Sequence, residues 1–226
     1  MHPLQARSQH LLEFSQRHFH VRLLRGLRHL FGIIFANPPH QLESSNLPTI
    51  FTHPAVPLAL AFGLGREVIS KRLLAAGVLV SVIPDLDVVA FRFGIPYAAD
   101  LGHRGFSHSL LFAFMVAAIG AAMARQLLST PKRAFWFLLV AVASHGMLDA
   151  FTNGGLGIAF LWPFVSERYF APLQPIEVSP LGLSRFFSPR GMTVIWSEIL
   201  WVWLPLFTLA AAAVISRRRA RMSTSS

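Results

Sequence analysis

Residues 73–93 read LLAAGVLVSVIPDLDVVAFRF. The run is about the length of a helix that crosses the hydrocarbon of a bilayer, which needs about 20 predominantly apolar residues. It also carries two carboxylates, Asp85 and Asp87, directly after Pro84. Ionisable groups inside an apolar span are costly to bury, so their presence points to a site rather than to packing. Pro84 lacks a backbone donor and its ring clashes with the preceding turn, so the helix is predicted to kink or open between Val80 and Pro84. Two carboxylates beside opened backbone make an oxygen-rich site, suited to a divalent cation or a protonated pair.

Working outward, four further apolar stretches follow the same pattern. Call them A (47–65), B (73–93, quoted above), C (107–128), D (134–152) and E (192–215). B, C, D and E are predicted to span. A is interrupted by Pro54 and Pro57, so it either spans or re-enters. The predicted fold class is all-α: a polytopic membrane helix bundle with four clear spans plus one marginal or re-entrant segment. Before it, residues 19–36 mix arginines with Leu, Phe and Ile, as an amphipathic helix in the membrane interface does. The expected organisation is an amphipathic arm (1–46), a membrane-embedded domain (47–216) and a basic tail (217–226). The first 20 residues hold no apolar core of the kind a signal peptide needs.

Composition supports this. The 226-residue chain is 54% hydrophobic and 13% charged, against about 25% charged in soluble domains. Its net charge of +10 arises from 20 Lys+Arg against 10 Asp+Glu. These basic residues lie between apolar runs, which suits membrane flanks and anionic headgroups; nucleic acid is not an expected partner. Membrane lipids are. There is no cysteine, so any metal is held by nitrogen and oxygen.

The link into C reads His103-Arg104-Gly105-Phe106-Ser107-His108-Ser109, two imidazoles with a guanidinium between them and two hydroxyls at a helix start. Ser107 is placed to cap helix C, and Arg104 to clamp a phosphate. D ends with His145 and Asp149, four apart and therefore on one helical face. Either both reach one ion, or Asp149 orients His145. A begins Thr52-His53-Pro54. Consecutive spans alternate in direction, so the end of B, the start of C and the end of D fall on one membrane face. If A spans, its start joins them. His53, Asp85, Asp87, His103, His108, His145 and Asp149 then converge as ligands do in helix-bundle metal sites. Mixed His and carboxylate ligation suits zinc, manganese or iron, as one or two ions. Lys and Arg concentrate in the A–B and C–D links and after E, which predicts that the cluster faces outward.

At these residues the sequence resembles the YdjM-like family of bacterial inner-membrane, metal-dependent hydrolases. The resemblance runs from Thr52-His53 through Pro84-Asp85-Leu86-Asp87, the stretch from His103 to Ser109 and His145 to Asp149, and on to Thr152 and Trp162-Pro163-Phe164. It covers roughly residues 50–180. Val88 stands where the family commonly has His, which removes one ligand, and Ser107 where Thr is usual, which keeps the hydroxyl. The resemblance implies hydrolase activity in the inner membrane; spacing alone implies a metal site.

The expected function is metal-assisted attack of water on an ester or phosphoester, of a small molecule or a lipid. Asp85 or Asp87 is a candidate base and Arg104 a candidate stabiliser of negative charge. Ser107, Ser109, Thr152 and Trp162 are candidates for supporting the ligands or touching substrate. The alternatives are a metal or proton transporter and a non-catalytic membrane protein with a structural ion. Nothing in the sequence points to an oligomeric state.

Overall fold

Hydroxyl side chains start most of the helices, each accepting an otherwise orphaned N–H of the first turn. In the computed structural model, which describes residues 21–35, 52–178 and 188–223, Ser70 accepts from Leu73 N–H at 3.0 Å and opens a helix over Lys71–Val80. Ser109 accepts from Phe112 N–H at 3.1 Å and opens Leu110–Ala122. Thr130 and Ser188 do the same for Pro131–Ala150 and Pro189–Glu198, both with proline at the first position, where its missing donor costs nothing. We number the α-helices α1 (21–34), α2 (Ala55–Leu64), α3 (Lys71–Val80), α4 (Leu110–Ala122), α5 (Pro131–Ala150), α6 (Pro189–Glu198) and α7 (Leu204–Ser223). A five-residue π-helical stretch, Ile199–Trp203, joins α6 to α7 without a break. Among the described residues there is no strand, only two isolated bridges, Thr152 with Ile176 and Ile158 with Tyr169.

After α3 the backbone leaves α geometry at Ser81 and continues as a 3-10 helix over Ile83–Phe93, with Pro84 in its first turn. Runs of 3-10 helix rarely exceed three or four residues, and this one has eleven. Side chains three apart eclipse in such a helix, so Ile83, Leu86 and Val89 form one exposed apolar row. Asp85 and Asp87 lie off that row and are far less exposed.

The helices pack around an apolar centre of Ile69, Leu73, Ala117, Ala134, Phe137 and Leu138, where α3, α4 and α5 meet. Gly77 on α3 has no side chain because a Cβ there would fall onto the Phe137 ring. α2 packs along α7, and Arg217 on α7 ties back to the Leu64 carbonyl at 2.6 Å. The expected basic tail therefore continues α7 as far as Ser223. α1 lies on the link after α5, with Phe31 and Phe35 against Phe160 and Tyr169.

Two helical segments are long and apolar enough to cross a membrane, Lys71–Phe93 (23 residues, mean hydropathy 2.0) and Pro189–Ser223 (35 residues, mean hydropathy 2.1). This corrects the expected four clear spans. C loses its first residues to a 3-10 turn at Phe106–His108 and its last to turns after Ala122, leaving 13 residues in α4. At 1.5 Å per residue that is about 20 Å, short of the roughly 30 Å hydrocarbon thickness. D forms a 20-residue helix, but Lys132, Arg133 and Asp149 lower its apolarity. A contributes only the ten residues of α2. Large apolar side chains nonetheless face outward over much of the surface, including Leu79, Phe93, Ile119, Trp201 and Leu209, as a lipid-facing surface requires. Residues 1–20 and 36–46 of the expected amphipathic arm lie outside the described residues.

Candidate metal centre

Five chain segments deliver the site. His53 precedes α2, Asp85 and Asp87 sit on the 3-10 helix, and His103 and Arg104 lie in the loop that follows it. His108 closes the turn before α4, and His145 and Asp149 occupy the last turns of α5. The seven His and Asp residues singled out in the sequence meet in one place: each lies within 4 Å of another member of the group by a side-chain contact. His53, His103, His145 and Asp149 are fully buried.

The tautomers follow from the hydrogen bonds. His145 Nδ1 lies 2.7 Å from the Ser81 carbonyl, which can only accept, so Nδ1 carries the proton and Nε2 presents a lone pair. Ser107 Oγ donates to Asp87 Oδ2 at 2.5 Å and lies 3.0 Å from His108 Nδ1, so it accepts from that nitrogen. His108 Nε2 therefore also presents a lone pair.

These two Nε2 atoms are 3.0 Å apart. His108 Nε2 is 3.2 Å from Asp149 Oδ2 and 3.9 Å from Asp85 Oδ1. His145 Nε2 is 3.3 Å from Asp85 Oδ1 and 3.6 Å from Asp149 Oδ2. Ligand atoms at the usual 2.0–2.1 Å from a tetrahedral zinc are about 3.3 Å from one another. The five separations above, 3.0–3.9 Å, bracket that value, and all four donors lie within 4.8 Å of one another. Without a cation, two lone pairs and two carboxylates would crowd one buried point, at high desolvation cost. A single proton would satisfy one pair. Both ring nitrogens of His53, Asp85 Oδ1 and both carboxylate oxygens of Asp149 would still lack a partner. The residues present therefore fit a divalent metal.

His53 stacks on the His145 ring, with centroids 3.6 Å apart. Its Nε2 approaches the other oxygens of the same carboxylates, Asp85 Oδ2 at 3.5 Å and Asp149 Oδ1 at 3.8 Å. Asp87 is arranged differently. It meets His103 Nδ1 at 2.5 Å, accepts from Arg104 N–H at 3.2 Å and from Ser107, and lies 3.2 Å from His108 Nδ1. With His103 and His108 it also forms a second group of donors close enough for an ion. Burial holds the His103 imidazole below its ordinary pKa, against the pull of Asp87. Its Nε2 is buried without a partner among the described residues.

Arg104 is fully buried and adopts φ +63°, a strained conformation for a residue with a side chain. Nη1 donates to the Gly154 carbonyl at 2.7 Å and Nη2 to Thr152 Oγ1 at 3.1 Å, while Nε faces Asp149 Oδ2 at 3.5 Å. Thr152 Oγ1 in turn donates to the Asp149 carbonyl at 2.6 Å. The helix cap expected of Ser107 belongs to Ser109, because the Ser107 hydroxyl is taken up by Asp87. Trp162 stacks edge-on against Phe106, next in the chain to Ser107, with centroids 4.9 Å apart.

Three supports escape a reading by motif. Ser81 acts through its carbonyl, which no side-chain pattern signals. Arg168 donates to the carbonyls of His103 at 2.9 Å, Ala99 at 3.1 Å and Tyr97 at 3.3 Å, pinning the loop that carries His103. A charged residue amid the aromatics of the link after α5 was its only signal. Gly105 has no side chain because a Cβ there would strike the Asp100 carbonyl oxygen. Gly105→Ala is expected to cost about 1–3 kcal/mol by overpacking against backbone that cannot rotate away. Thermal unfolding in detergent measures it, and an unchanged midpoint would refute the close approach.

Fold and site together define an α-helical membrane protein with a buried His and Asp centre whose donors could hold a cation. The chain belongs to the YdjM inner membrane protein family, whose model matches residues 48–221 and so takes in every residue of the centre. It is also 48% identical over 160 residues to inner membrane protein YbcI of Escherichia coli K12, covering 70% of this chain and 92% of that protein. No solved structure matches.

Proposed function

We propose that this protein is a membrane-embedded metal-dependent hydrolase of esters or phosphoesters. The observation that carries the reading is the near-tetrahedral set of His108 Nε2, His145 Nε2, Asp85 Oδ1 and Asp149 Oδ2, with its unpartnered buried atoms. These four residues would hold the ion, with His53 beside them and zinc, manganese or iron as the fitting metals. A divalent metal so held acts as a Lewis acid and lowers the pKa of water toward neutrality.

The chain's own groups divide the remaining work. Asp87, saturated with donors, orients His108 through Nδ1 and is a poor base. Asp85 is the more open of the two carboxylates, with 11% of its side chain exposed against 8% for Asp87. Its Oδ2 faces His53 Nε2 at 3.5 Å, and this oxygen is the one to take a proton from entering water. Arg104 keeps Asp149 charged. Exposed Leu86, between the two aspartates in the chain, supports a substrate with an apolar part, such as a membrane lipid.

The test is a screen of lipid esters and phosphoesters with the purified full chain. Metal-loaded wild type should hydrolyse at least one class, and both chelated wild type and metal-treated Asp149→Ala should fail. Stoichiometric metal in wild type with no turnover anywhere in the screen would count against a hydrolase and for a transported or structural ion.

A further inference from the structure

Away from the metal centre, α1 and the link after α5 enclose a crevice of about 440 Å³. Arg25, Arg28 and His29 line it from α1, Glu167 and Tyr169 from the link. Arg28 pairs with Glu167 at 2.5 Å, which cancels one charge on each side. Arg25 is exposed and has no ion-pair partner among the described residues, so the crevice keeps an excess of positive charge. Tyr169 is only 2% exposed, yet its hydroxyl has no hydrogen-bond partner among the described residues. A buried hydroxyl without a partner is costly and normally marks a missing ligand or water.

The setting narrows the ligand. α1 turns Phe31 and Phe35 inward onto Phe160 and Tyr169, and leaves Leu23, Leu30, Ile33 and Ile34 exposed on one face. An exposed apolar row on an arginine-bearing helix belongs at the boundary of acyl chains and headgroups. Tyr169 pairs with Ile158, and the adjacent Ala159 N–H donates to the Arg104 carbonyl at 3.1 Å. The link that lines the crevice is thus tied to the backbone of Arg104 beside the metal centre.

We propose that this crevice binds the phosphate of an anionic phospholipid, with Arg25 supplying charge, His29 a ring N–H donor and Tyr169 donating its hydroxyl to a phosphate oxygen. Guanidinium and hydroxyl donors together are the usual phosphate partners, and juxtamembrane basic groups select anionic headgroups. α1 lies outside the residues that the family model matches, whereas Glu167 and Tyr169 lie within them. The site does not rest on the hydrolase reading.

The experiment is native mass spectrometry of the delipidated full chain, with phosphatidylglycerol or phosphatidylcholine added back. Wild type is expected to retain phosphatidylglycerol in preference. Tyr169→Phe, which keeps the ring packing, and the double variant Arg25→Ala/His29→Ala should each lower retention about tenfold, the worth of one hydrogen bond to a charged group. The exposed pair Arg218→Ala/Arg219→Ala removes at least as much charge elsewhere and should retain lipid as wild type does. Retention unchanged in both crevice variants, or an equal fall in the Arg218/Arg219 variant, would overturn the proposal. Added inorganic phosphate separates the sources: displacement of the lipid shows that phosphate alone is recognised, and persistence shows that the whole headgroup is.

Discussion

His108→Ala is expected to reduce bound metal to less than a tenth of the wild-type content, the largest effect of any single substitution here. His108 is the one residue common to both donor groups. Its Nε2 sits 3.0 Å from His145 Nε2 and 3.2 Å from Asp149 Oδ2, while its Nδ1 face is held by Ser107 and Asp87. Loss of a group that merely supports a ligand already costs about 10–100-fold in metal affinity, and His108 is placed as a ligand itself. Elemental analysis of equal amounts of folded protein measures the change. Ser107→Ala separates ligand from support, because it removes only the Nδ1 partner and should weaken binding by about the 10–100-fold given above. If His108→Ala keeps wild-type metal, the tetrahedral set is not the site.

Arg104→Met is expected to destabilise the protein by about 3–5 kcal/mol, the cost of breaking a buried charge pair from one side. Arg104 and Asp149 are both fully buried, so Asp149 would be left charged in a place water does not reach. The carbonyl of Gly154 would lose its guanidinium donor as well. Arg104→Lys keeps the charge but loses the planar fork, and should fall between wild type and Met. Thermal unfolding in detergent provides the readout. A cation at Asp149 does part of the same work as Arg104, so the Met variant should lose more stability in chelator than in metal. Equal losses in both would separate Arg104 from the metal centre.

The centre was legible because its residues are wrong for their surroundings. Aspartates after Pro84, histidines flanking Arg104, and His145 with Asp149 four residues on are all expensive in apolar stretches. Span lengths were less legible. Hydropathy shows that residues 107–128 are apolar, but not that Ser109 caps the helix there, nor that the backbone turns after Ala122. Those ends depend on local hydrogen bonds, and four expected spans became two clear ones. The meeting of the start of α4 with the end of α5 does not require four crossings. It requires only that the two helices pack side by side, as they do.

By itself, the sequence determined the helical class, the apolar character and the identity of the seven His and Asp residues, since these follow from residue type and spacing. Tertiary structure alone decided their roles. Asp85 and Asp87 are two residues apart on one 3-10 helix, yet Asp85 Oδ1 is left without a donor and Asp87 is surrounded by them. Which carboxylate can accept a metal depends on how many hydrogens already point at it, and those arrive from residues far along the chain.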